Sequence, residues 1–173
     1  SDFFADKYVN LWFFGGYLDQ NLRCPSGFYN DLWKYNILSN QGMWVNGDSI
    51  VDLRDQFGPP GIPSALNKPG GSFGGNSWVD QSGNFWLQGG SGTGNSPLPV
   101  FWKYDPSSSL WTWVSSGNGK YGDQGIANRK NNPGGRFSGS TWVDVSGNLW
   151  LFGGSRNSSY VYVGEFMVGD LFN

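Results

Sequence analysis

The sequence predicts an all-β fold assembled from repeated four-stranded antiparallel units, and three observations carry that expectation. The 173 residues include 28 Gly and 10 Trp, with an aromatic share of 18%, a composition of strands and tight turns rather than helices. A strand–turn–strand pattern that closes on Gly-Gly occurs three times without gaps. Two further strand motifs follow that pattern at a nearly constant spacing.

The first two strands of each unit, A and B, lie in residues 2–16, 76–90 and 140–154. Aromatic and β-branched runs flank a Ser-Gly-Asn turn at Ser82-Gly83-Asn84 and Ser146-Gly147-Asn148, as in a β-hairpin. Tyr8-Val9-Asn10 replaces it in the first copy. Asp6, Asp80 and Asp144 stand just before these turns, where a carboxylate accepts from local backbone amides. They read as turn stabilisers, although three carboxylates in register also resemble a functional set.

Strand C is expected at Asp31-Leu32-Trp33-Lys34-Tyr35 and at Val100-Phe101-Trp102-Lys103-Tyr104, with Trp33 and Trp102 69 residues apart. Asp170-Leu171-Phe172 begins a third copy, 70 residues after Trp102. Strand D is expected at Met43-Trp44-Val45 and Thr112-Trp113-Val114, again 69 apart. Tryptophans that recur at one structural position read as core, filling the wedge between packed sheets.

With these motifs on the page, the chain resembles the kelch-repeat β-propellers, most closely the galactose-oxidase-like class. The marks are Gly15-Gly16, Gly89-Gly90 and Gly153-Gly154, the strand C and D tryptophans, and Pro69-Gly70-Gly71 and Pro133-Gly134-Gly135 before strand A. The resemblance covers nearly the whole chain. It implies a partial propeller of about two and two-thirds four-stranded blades, with blade 1 at about 1–46, blade 2 at about 69–115 and blade 3 at about 133–173. Propellers close with about 4–8 blades. The resemblance therefore implies open walls, with Trp33, Trp44 and Phe172 among their aromatics, covered by remaining blades of the same chain or by neighbouring subunits.

The same class implies a copper site of His and Tyr, with one Tyr joined to Cys. This sequence has no His, and its one cysteine is Cys24, so no metal and no cofactor are expected. The order Asp80-Gln81-Ser82-Gly83 also departs from the sialidase Asp-box, where Gly follows Asp by two. No phosphate loop, zinc spacing or Ser/His/Asp set is present. The net charge of −2 argues against nucleic acid, and no run approaches the roughly 18 apolar residues of a spanning segment, so no membrane insertion is expected.

What remains is a non-catalytic interaction or structural module, or else the propeller part of a secreted carbohydrate-active enzyme whose catalytic residues lie elsewhere. In an up-and-down four-stranded unit, the B–C and D–A connections share one face. These are the long ones: residues 17–30, 91–99, 46–69 and 115–133. Long loops on a rigid scaffold carry binding residues. Tyr17, Arg23, Tyr29, Arg54, Tyr121 and Arg129 are the candidates there, and mixed charge with aromatics suits a protein or glycan ligand. Asn157-Ser158-Ser159 is an N-glycosylation match in the third B–C loop, which points to an extracellular or cell-surface protein.

Overall fold

The computed structural model describes residues 1–19, 26–93 and 97–156. Arg23, Cys24, Asn157 and the expected third strand C at Asp170-Leu171-Phe172 lie outside them. Every described element is a strand, and every pairing is antiparallel.

Sheet I contains β1 (Asp2–Ala5), β2 (Asn10–Leu18), β3 (Gly27–Asn36) and β4 (Gln41–Asn46), in that order. After a long loop come β5 (Ser72–Phe73), β6 (Asn76–Val79), β7 (Phe85–Gln88), β8 (Ser91–Gly92), β9 (Val100–Asp105) and β10 (Leu110–Ser116). Sheet II has the order β10-β9-β7-β6, while β5 pairs with β8 apart from it. Sheet III pairs β11 (Ser140–Val143) with β12 (Leu149–Phe152). Strands A to D of the first two units thus form two four-stranded sheets, and no described sheet closes on itself.

Alternation along the strands decides what each sheet buries. Phe4, Trp12, Phe14 and Leu32 point from one face of sheet I into the core, against Phe85, Leu87, Trp102, Tyr104 and Trp111 of sheet II. Phe4 stacks on Phe85 with centroids 4.6 Å apart, and Phe14 meets Trp111 edge-on at 5.4 Å. Each such side chain contributes roughly 1.5–3 kcal/mol on burial. The opposite face of sheet II receives sheet III, where Trp78 Nε1 donates to the Trp150 carbonyl at 2.8 Å and Thr141 Oγ1 to that of Ser77 at 2.9 Å.

The tryptophan expectation divides accordingly. Trp102 is buried and Trp113 is partly buried against the core. Their counterparts on sheet I, Trp33 and Trp44, are 43% and 49% exposed. They lie on the face turned away from sheet II, in the cross-strand row Phe3–Phe13–Trp33–Trp44.

The Gly-Gly pairs mark where the chain leading to the next unit passes under strand B. Gly15 has φ +57°, and a Cβ there would stand 2.5 Å from the Ser72 carbonyl. Gly89 has φ +75° and lies under the Arg136 carbonyl in the same way. The pair does not end β2, however. The register shifts between Phe14 and Gly16, and the ladder then continues to Leu18 opposite Gly27.

Candidate functional site

The long connections meet one another. The Phe28 N–H donates to Asp52 Oδ1 at 3.0 Å, and Thr93 Oγ1 donates to the same atom at 3.2 Å. This ties the loop between β4 and β5 to the start of β3 and to the segment after β8. The short turns gather too, since Gln81 Nε2 donates to the Val145 carbonyl at 3.0 Å.

Arg54 is the candidate that the structure places best. It is exposed and lines a cleft of about 220 Å³ with Leu53, Asp55, Phe57, Thr93 and Leu98. Asp55 accepts from the Gly70 N–H at 2.9 Å and from Trp102 Nε1 at 3.2 Å. Burial raises its carboxyl above the usual range despite these donors. Phe57 is half exposed and lies parallel to Trp102, with centroids 5.5 Å apart, which fixes its ring. The cleft is thus lined by an arginine, an aspartate and an aromatic ring held against Trp102, and its lining is more polar than apolar.

The other candidates do not join it. Tyr121 lies on a second open cleft of about 520 Å³ with Lys120, Asp123 and Ile126, and its hydroxyl accepts from Arg136. Arg129 borders a groove of about 500 Å³ between sheets II and III. Tyr17 and Tyr29 are corrected outright: both belong to strands, not to a loop. The ladder that runs past Gly16 pairs Tyr29 with Gly16 and Tyr17 with Phe28, and the Tyr17 ring packs beside Phe28 and Phe73.

Half of the loop between β4 and β5 also serves a different purpose from the one expected. The N–H of Gly61 donates to the Trp113 carbonyl at 2.7 Å and that of Ser64 to the Trp111 carbonyl at 3.2 Å, which covers the outer edge of β10. Buried Asn67 locks this arrangement. It accepts from the Gly58 N–H at 2.7 Å and donates to the Ile62 and Trp111 carbonyls at 2.9 and 3.0 Å. Asp48 and Lys68 pair at 3.0 Å nearby.

The carboxylate set proves structural. Asp6, Asp80 and Asp144 each accept from the backbone N–H groups two and four residues on, from an Asn side chain at the fourth and from a Trp Nε1 at the sixth. Burial alone would raise Asp6 and Asp80, but the donors outweigh it and hold both low. At Asp144 the bonds from Trp150 and Asn148 lower the carboxyl to about 2. The backbone bonds were expected. The Asn and Trp donors were missed, although the Asp-x-x-x-Asn-x-Trp spacing stands in the sequence three times.

No family model matches the chain, and no curated protein matches it.

Proposed function

We propose that the chain is part of a kelch-type β-propeller and acts as a non-catalytic interaction module, binding a protein or glycan partner through the loops between strands B and C and between D and A. The support for the propeller is the serial stacking of the sheets in chain order, with Gly-Gly beneath each crossing chain. The support for binding is the Arg54 cleft. Its guanidinium makes no hydrogen bond or ion pair among the described residues, and Arg54 lines the cleft together with Asp55 and with Phe57, whose ring lies on Trp102. A mostly polar lining around one exposed aromatic ring suits a polar ligand better than an apolar one. A ring face with donors and an acceptor beside it suits a sugar ring or a peptide turn equally. An extracellular setting belongs to this reading, supported by the Asn157 sequence match.

The experiment is a binding screen against immobilised neutral oligosaccharides and extracellular proteins, run with the chain and with Arg54→Ala. For any ligand found, Arg54→Ala should weaken binding about tenfold, the loss of a charge-assisted hydrogen bond, with an unchanged melting temperature. A ligand held equally tightly by Arg54→Ala would remove the cleft from the reading.

A further inference from the structure

The sequence joins Asn directly to Gly twice, at Asn46-Gly47 and Asn118-Gly119. In such a pair the glycine nitrogen can close a five-membered ring on the side-chain amide carbon, because no Cβ shields it. In a folded chain the rate depends on how the fold holds those two groups. The two pairs are held in different ways.

Asn46 is the last residue of β4. The Gly47 N–H donates to Asn46 Oδ1 at 2.8 Å, so the attacking nitrogen lies beside the side-chain carbonyl of the preceding residue. Asn46 Nδ2, the leaving group, is engaged elsewhere and donates to the Ser109 carbonyl at 3.4 Å. The fold itself demands the glycine. Gly47 has φ +83°, and a Cβ there would collide with the Asn30 carbonyl of β3. The Asp48 N–H donates to Asn30 Oδ1 at 3.0 Å, which holds the next residue in place.

At the second pair the Gly119 N–H donates instead to Asn132 Oδ1 at 3.0 Å, across the loop. The Asn118 carbonyl accepts from Arg156 Nη2 at 2.8 Å. Here the attacking nitrogen is committed to the side chain of a distant residue. Exposure alone would favour this pair, since Asn118 is exposed and Asn46 is half-buried. Geometry favours the other.

We propose that Asn46 is a site of spontaneous deamidation, selected by the fold over Asn118. The Gly47 nitrogen bonds to Asn46 Cγ and the Cγ–Nδ2 bond breaks. Nδ2 leaves as ammonia, taking up the proton of the Gly47 N–H. Water then opens the cyclic imide at either carbonyl, giving aspartate or isoaspartate. Either product exchanges the Nδ2 donor for a carboxylate, so the bond from sheet I to Ser109, in the turn between β9 and β10, is lost. Isoaspartate also adds a methylene to the backbone of β4 opposite Leu32.

The test is incubation of the 173-residue chain at pH 8, natively and in urea. Peptide mapping by tandem mass spectrometry follows each asparagine and reads deamidation as a gain of one mass unit. In the native chain Asn46 should convert about tenfold faster than Asn118, and in urea the two should agree within about twofold. Equal native rates or faster native conversion of Asn118 would overturn the proposal. So would a native Asn46 that survives while the urea-unfolded one converts. A preference for Asn46 that urea leaves unchanged would overturn it as well, since the preference would then belong to the local sequence and not to the fold.

Discussion

At each A–B turn a single carboxylate collects four N–H donors, and the chemistry of the turn follows from that count. The donors stabilise the ionised form, so the folded carboxyls of Asp6, Asp80 and Asp144 titrate below the unfolded value of 3.8. Their stabilisation is fully present above that value and is lost as pH falls through the folded pKa, about 2 for Asp144. Asp80→Ala should cost about 2 kcal/mol, since Trp86 and the partly buried Asn84 lose their acceptor; urea unfolding at pH 7 measures it. Asp2 behaves in the opposite sense. It is 5% exposed between sheets I and II, and burial lifts its carboxyl to about 6 against donation from the Gly75 N–H. The folded state therefore binds a proton that the unfolded state has released between about pH 4 and 6, and stability falls as pH rises through that window. Asp2→Asn should raise stability by up to about 3 kcal/mol at pH 7 and leave it unchanged at pH 4. A melting temperature equally raised at both pH values would show that ionisation is not the cause.

Among the elements, the loops at residues 56–68 and 120–132 allow a controlled comparison, since Gln56 bridges Lys68 as Lys120 bridges Asn132, and only the first bonds to a strand edge among the described residues. Asn67 is buried and bonds across to β10, whereas Asn131 is only partly buried and, among the described residues, bonds only within its own loop. Asn67→Ala should therefore cost about 3 kcal/mol, and Asn131→Ala under about 0.5 kcal/mol, as read by chemical denaturation of each variant. The loop repeat itself was legible, because Gly58, Gly61, Ile62, Asn67 and Pro69 recur as Gly122, Gly125, Ile126, Asn131 and Pro133. Loop length does not show this repeat, because it lies in the residue pattern alone. Strands A to D were legible because aromatic motifs recur at one spacing, and β1 to β4 and β6, β7, β9 and β10 lie where those motifs put them. The end of β2 was not. Gly-Gly signals a left-handed residue, and φ +57° at Gly15 fulfils that, but a bulge and a strand end carry the same signal. Tyr17 and Tyr29 were misplaced for that reason. The Arg54 cleft was legible only as a loop with mixed charge, since the pairing of Phe57 with Trp102 joins residues 45 apart.

Across the whole molecule, one stacking rule operates twice. The face of sheet II that carries Leu87 and Trp102 lies on the face of sheet I that carries Phe4, Trp12 and Phe14. Sheet III lies on the opposite face of sheet II, at Trp78. Among the described residues, two faces are left over. At one end Phe3 is 64% and Trp44 49% exposed; at the other Trp142 is 48% and Phe152 64% exposed. These faces are unlike, and each is the kind that the other meets inside the molecule. Contact between copies is therefore expected to be head-to-tail, not symmetric. Sedimentation of the 173-residue chain should show association that grows with concentration. Phe3→Ser with Trp44→Ser removes one face, and Trp142→Ser with Phe152→Ser removes the other, so each double variant alone should stay monomeric. An equimolar mixture of the two retains one intact face of each kind and should form a one-to-one dimer. If either double variant dimerised by itself, the contact would be between like faces, and the stacking rule would not extend beyond the single chain.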